Sequence, residues 1–116
     1  MLIDIRARGF ALTDAIRRHV EARVGAALGP FASRVLTVTV RLQDINADHG
    51  GADKRCGIAV ALRRHGLEIA EAVNADLYAA IDEAANRMRQ SVIRAAKRHQ
   101  ARERRNPQRA GALVTF

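Results

Sequence analysis

Basic side chains that could bind phosphate groups are concentrated in the last thirty residues of this 116-residue chain. Nine Lys or Arg residues lie between Arg87 and Phe116, where Glu103 is the one acidic residue, whereas residues 1–86 hold eleven basic and eleven acidic residues. This segment therefore carries the whole formal net charge of +8. Clustered cations attract polyanions and gain free energy by releasing counterions from a phosphate backbone, so a nucleic acid is the leading predicted partner.

The cations follow a helical spacing. At about 100° per residue, Arg87, Arg94, Arg98 and Arg105 fall in a band about 40° wide on one flank of a predicted helix. An ordinary solvated helix interleaves both signs, as Glu83 and Arg87 still do, but the helix beyond Arg87 has almost no acids. A solvated face without a partner is the alternative interpretation. A membrane-surface helix fits less well because the apolar side is mostly alanine, and no membrane partner is expected.

No arrangement of residues in the sequence indicates catalysis. The four histidines, His19, His49, His65 and His99, are scattered over predicted helices, a loop and a turn, and no nucleophile is paired with a base and an orienting acid. The single cysteine, Cys56, lies in an alternating apolar run and is predicted to be a buried thiol. The chain is therefore predicted not to be an enzyme, and no small-molecule substrate is expected.

The segment from Asp44 to Asp48 imitates the start of a calcium-binding loop, but the sixth position is His49 instead of glycine and the twelfth is Arg55 instead of glutamate. A polar hairpin loop is the better interpretation, and neither a metal nor a cofactor is predicted. The N-terminus lacks the apolar stretch of a signal peptide, and no apolar run approaches the roughly 20 residues needed to cross a bilayer. We expect a cytoplasmic protein.

Two periodicities alternate along the chain. Residues 2–7, 35–43, 56–63 and 67–73 are short apolar runs with a two-residue period or flanking turn signals, and they predict four strands. Thr13 is predicted to cap a first helix, which Gly29-Pro30 ends. Asp76 is predicted to open a second helix, whose apolar stripe repeats over about five turns before Pro107.

This order of elements predicts an α+β fold, namely a two-layer β-α-β-β-β-α sandwich with a four-stranded mixed sheet and both helices on one face. The helix between the first two strands allows a right-handed parallel crossover, and the short turns require antiparallel pairing after it. The open face of the sheet is predicted to expose small side chains, Ala70 and Ala72 among them. We expect residues 1–106 to form one domain and residues 107–116 a flexible tail.

The most selective motif is the segment Asp76–Asp82, with the sequence DLYAAID, followed by Arg87-Met88 and Arg94. It resembles the second-helix signature of the ribosome hibernation-promoting factors, also called ribosome-associated inhibitors, ribosomal subunit interface proteins or sigma-54 modulation proteins. The first helix is similar as well, from its Leu12-Thr13-Asp14 start to the closing Phe31. The resemblance covers about residues 1–98 and is to the short members, which lack a C-terminal dimerisation domain.

The resemblance implies a fold related in shape to double-stranded-RNA-binding domains. It also implies binding to the small ribosomal subunit and to whole ribosomes, in the channel used by mRNA and tRNA anticodons, which silences translation in starvation or stationary phase. The candidate contacts to ribosomal RNA are the residues at family basic positions, the family's tyrosine and neighbouring cations of the second helix: Arg17, Arg23, Tyr78, Arg87, Arg89, Arg94, Lys97 and Arg98.

Several features depart from the family pattern. Ala26 replaces a family lysine, Gln90 replaces a family arginine with Arg89 beside it, and the 44–54 loop is longer than usual, so the footprint on the ribosome is expected to differ in detail. Tyr78 has two interpretations, contact with RNA and packing near the start of the second helix. A general duplex-RNA-binding or RNA-chaperone module is the alternative function, because the same fold and charge would serve it.

Overall fold

The chain folds into the predicted order of elements. The computed structural model describes residues 1–45 and 53–105. Its elements are β1 (Ile3–Arg8), α1 (Asp14–Leu28), a short 3-10 helix (Gly29–Arg34), β2 (Val35–Asp44), β3 (Lys54–Leu62), β4 (Gly66–Asn74) and α2 (Leu77–Arg105). The predicted α+β fold with a four-stranded mixed sheet is confirmed. The predicted 107–116 tail and the centre of the predicted 44–54 loop lie outside the described residues.

Local hydrogen bonds explain where the two helices begin. Thr13 Oγ1 accepts a hydrogen bond from the Ile16 N–H at 3.2 Å, which satisfies one of the N–H groups that a first helical turn leaves without a partner. Asp76 Oδ1 accepts a hydrogen bond from the Tyr78 N–H at 3.1 Å at the start of α2. Gly29 and Pro30 lie in the 3-10 helix directly after α1. Both predicted helix starts and the predicted end of α1 are therefore confirmed.

The sheet has the strand order β1-β2-β3-β4, so β4 lies at one edge. β1 is parallel to β2, and the pairs β2–β3 and β3–β4 are antiparallel. The helix α1 forms the crossover that two parallel strands require, whereas the short β3–β4 turn permits antiparallel pairing only. None of the helices in the described part of the chain is both long enough and apolar enough to cross a membrane.

One hydrophobic core lies between the helices and one face of the sheet. Its largest members, which are almost completely buried, are Leu28, Leu42, Ile58, Ile81 and Met88. Cys56 is also fully buried, which confirms the predicted buried thiol. Burial raises the pKa of the Cys56 thiol to about 12, because a thiolate in this position would lose its hydration.

The prediction for the open sheet face is wrong in β4. Ala70 and Ala72 are 8% and 2% exposed and belong to the core, whereas Leu67 and Ile69 are 59% and 61% exposed. The hairpin register decides this orientation, because it pairs Leu67 with Ala61 of the open face. The helix α2 packs over β4 with several alanines of its own, so the interface has room for small side chains only.

A second difference from the predicted alternation lies at the start of β2. Val35 pairs with Leu62 and Thr37 pairs with Ala61, so the register of β2 shifts between these two residues. Leu36 falls within this irregularity and is 55% exposed, although the two-residue period of residues 35–43 puts it in register with the buried Val38 and Val40. An extra residue in one strand of an antiparallel pair redirects the side chains beside it in this way.

Candidate nucleic-acid interface

The predicted RNA-binding residues of α2 lie on two flanks of the helix. Arg87, Arg94 and Arg98 share the flank beside β4, because their spacing places them on one side and two of them contact that strand. Arg87 Nη1 donates a hydrogen bond to the Glu71 carbonyl oxygen at 2.6 Å, and Arg98 Nη2 donates one to Glu68 Oε1 at 3.1 Å. Two of the three cations are therefore engaged by the edge strand as well as exposed to solvent.

The opposite flank of α2 meets α1 through a carboxylate. Asp82 Oδ1 lies 2.7 Å from His19 Nε2 and 3.0 Å from Arg23 Nε. The His19 ring contacts the Tyr78 ring edge to face, with the ring centroids 4.8 Å apart. Tyr78 is still 39% exposed, so its ring packs against α1 and also faces solvent. The structure thus brings together two predicted contacts, Arg23 and Tyr78, from different helices.

Four other candidate residues face solvent. Arg17, Arg89, Arg94 and Lys97 are exposed and make no hydrogen bond or ion pair with another residue of the described ranges. Arg17 lies away from Arg23, because it precedes Arg23 by six positions and the two residues are therefore about 120° apart around α1. The candidate residues therefore spread over the outer surface of both helices instead of forming one cluster.

The charge balance of this outer surface remains positive. Between Arg87 and Gln100 the chain has five cations and no acidic residue. The acids that contact candidate cations, Glu68 and Asp82, belong to partly exposed ion pairs, in which solvent and salt screen the attraction. Such pairs exchange partners at small cost, so the surface can bind a polyanion.

Two contacts concern the histidines and the calcium-like segment of the sequence. His65 and His99, scattered in sequence, lie with their ring centroids 4.6 Å apart. Asp44, the first residue of the calcium-like segment, accepts a hydrogen bond from Lys54 Nζ at 3.0 Å, and this contact raises the pKa of Lys54. Within residues 1–45 and 53–105, no group of three or more His, Cys, Asp or Glu side chains is placed to hold a metal ion.

Sequence reasoning missed His19 and Asp82 as parts of this surface. The two residues are 63 positions apart, and no helical or strand periodicity relates them. The available signal was the position of Asp82 at the end of the Asp76–Asp82 motif, where an acid stands among basic positions. An acid in that place indicates an internal partner for one of the cations.

Comparison with known proteins places the chain in a family. The family described as Sigma 54 modulation protein / S30EA ribosomal protein matches residues 3–100. Because this match covers most of the chain, the protein belongs to that family. A relative, the chloroplastic ribosome-binding factor PSRP1 of Spinacia oleracea, is 32% identical over 80 residues, which make up 67% of this chain and 26% of the relative. The match thus spans about a quarter of that relative's length.

Two solved structures share the fold. The crystal structure of the Thermus thermophilus protein Y N-terminal domain is 33% identical in sequence, with a TM-score of 0.65 over 78% of this chain and 93% of that one. A ribosomal subunit interface protein from Coxiella burnetii is 20% identical, with a TM-score of 0.69 over 83% of this chain and 99% of that one. The predicted fold of two helices on a four-stranded mixed sheet is therefore shared with these proteins.

Proposed function

We propose that this protein binds the small ribosomal subunit with the outer surface of its two helices, in the channel used by mRNA and tRNA anticodons. Bound there in the cytoplasm, it silences translation under stress or in stationary phase. The observation that carries the proposal is the unbalanced charge of α2, where Arg89, Arg94 and Lys97 face solvent without a partner among the described residues. Membership of a family that includes a ribosome-binding factor supports the ribosome as the source of the phosphates.

The proposed mechanism is occlusion. The two helices form a rigid layer, because they share one core with the sheet and Asp82 joins them at their outer surface. The exposed guanidinium groups bind phosphate oxygens of ribosomal RNA, and the folded domain then fills space that mRNA and tRNA require. No bond is made or broken, so this role needs no catalytic group.

The number of exposed cations predicts how strongly the affinity depends on salt. Four candidate cations make no ion pair within the described part of the chain, and each phosphate contact contributes about 0.7 to 0.9 to the salt dependence of binding. With about four contacts, the association constant falls as roughly the third power of salt concentration. A ribosome pelleting assay across a salt series measures this slope.

The same assay distinguishes the proposal from a general duplex-RNA-binding module. Purified small subunits, whole ribosomes and an RNA hairpin are compared at one salt concentration, with and without mRNA and tRNA bound to the ribosomes. We expect tighter binding to small subunits than to the hairpin, and loss of binding when the channel is filled. Equal affinity for hairpin and ribosome, or binding that mRNA and tRNA leave unchanged, would contradict the proposed site.

A further inference from the structure

Three bulky aliphatic side chains on the edge strand β4 face solvent. Leu67, Ile69 and Val73 are 59%, 61% and 38% exposed, and their odd-numbered positions place them on one face of the strand. The cross-strand neighbours of Leu67 and Ile69 on β3 are Ala61 and Ala59, which are too small to cover them, whereas Val73 lies opposite Arg55. Exposed aliphatic groups together on an edge strand are typical of an interaction surface, because an isolated edge of this kind promotes association.

The other side of the same strand is cationic. Arg87, Arg94 and Arg98 lie on the flank of α2 that runs beside β4, on the helical side of the sheet. Arg87 reaches the backbone of the strand itself, at the Glu71 carbonyl oxygen. The edge of β4 therefore separates two unlike surfaces. The open face carries the three aliphatic side chains, with the exposed Glu71 paired to Arg55 among them, and the helical face carries a row of arginines.

We propose that the outer edge of β4 binds an extended protein segment in which apolar and acidic residues alternate. An added strand directs successive side chains to opposite faces of a sheet. Its apolar side chains would pack beside Leu67 and Ile69. Its acidic side chains would meet Arg94 and would replace Glu68 as the partner of Arg98. As its backbone bonds to the edge, an acidic side chain replaces the Glu71 carbonyl as the partner of Arg87.

Other occupants fit this edge less well. In a second copy paired edge to edge, the row of arginines on each copy would face the other and repel it. Residues 106–116 of this chain contain Arg109 and no acidic residue, so they do not complement the arginines. RNA or a flat anionic bilayer would meet the arginines or the aliphatic groups but not both, because the two lie on opposite sides of the strand.

Synthetic peptides test this proposal without reference to ribosomes. The probe is a nine-residue peptide that alternates valine and glutamate, titrated into the ¹⁵N-labelled full chain and followed by NMR. One control alternates valine and lysine, and a second has the probe's composition with its valines and glutamates in two blocks. We expect saturable shifts of the amides of residues 67–73 with the probe, and an affinity at least tenfold lower for both controls. Equal binding of a control, or shifts confined to other parts of the chain, would overturn the proposal.

Two matched variants locate the contact. Ile69→Thr keeps a β-branched residue in the strand but removes apolar surface, and we expect it to weaken probe binding about tenfold. Leu36→Thr removes an aliphatic group of similar exposure two strands away and leaves probe binding unchanged. Probe binding that survives Ile69→Thr, or an RNA hairpin that shifts the amides of Leu67 and Ile69 as the probe does, would refute a protein-binding edge. Ribosome pelleting of the same variants is a separate readout, so a failure of the proposed ribosome binding is distinguished from a failure of the proposed peptide binding.

Discussion

Replacement of Arg94 by glutamine removes one charge from the outer surface of α2 without removing a described contact. Arg94 is exposed, it makes no hydrogen bond or ion pair with another described residue, and glutamine is a good helix former. The free energy of unfolding should therefore change by less than about 0.5 kcal/mol. Any larger effect of Arg94→Gln on ribosome binding must then arise from the bound state.

The size of that effect follows from counterion release. If Arg94 contacts one phosphate, its loss lowers the salt slope of binding by about 0.8, so affinity falls about sixfold at about 0.1 M salt but only about twofold at about 0.4 M. A contribution from packing would be independent of salt. A difference in affinity between Arg94→Gln and the unmodified protein that decreases with rising salt is therefore the signature of a phosphate contact.

The matched control is Arg41→Gln. Arg41 is an exposed cation of β2, on the open face and opposite Arg6 of β1, so its replacement changes the net charge equally on the other side of the molecule. Ribosome pelleting of both variants and the unmodified protein across a salt series gives the three slopes. An unchanged slope for Arg94→Gln, or an equal decrease for Arg41→Gln, would show that the helical surface is not the phosphate contact.

Three further predictions concern the fold. Arg87→Gln should lower the free energy of unfolding by about 1 kcal/mol, because the hydrogen bond to the Glu71 carbonyl is lost, and an unchanged urea midpoint would count against that bond. Ala72→Leu should lower the free energy of unfolding by about 1 to 3 kcal/mol, because the larger side chain overpacks the interface under α2. Ile69→Thr should change it by less than about 0.5 kcal/mol, because Ile69 faces solvent. If urea unfolding showed the larger loss for Ile69→Thr, β4 would face the other way. Above about pH 9 the unfolded chain loses the Cys56 proton that the folded chain keeps, since burial raises the pKa of this thiol to about 12. The free energy of unfolding should then fall with rising pH, by about 1.4 kcal/mol at about pH 10, and Cys56→Ala should lack this part of the decrease; parallel pH curves for the two proteins would contradict the assignment.

Local patterns predicted most of the fold because the interactions that form these elements are local. Thr13 and Asp76 satisfy N–H groups within a few residues of themselves, so a capping residue before a periodic stretch is sufficient to locate a helix start. The two-residue period around Val38 and Val40 locates β2 in the same way. In β4 the pattern was ambiguous, because both alternate sets, Leu67 with Ile69 and Ala70 with Ala72, are apolar.

Sequence alone determined the polarised charge, the capped helices, the parallel and antiparallel pairing that follows from the connections and the motif typical of the family, because each depends on residue type and short-range spacing. Tertiary structure decided which face of β4 is buried, since the hairpin register and the close approach of α2 select alanine for the interface. It also decided which cations are engaged, because Asp82, Glu68 and the Glu71 carbonyl come from elements that only folding brings beside Arg23, Arg98 and Arg87. Contacts between residues distant in sequence follow no regular spacing, so they are visible only in the folded structure.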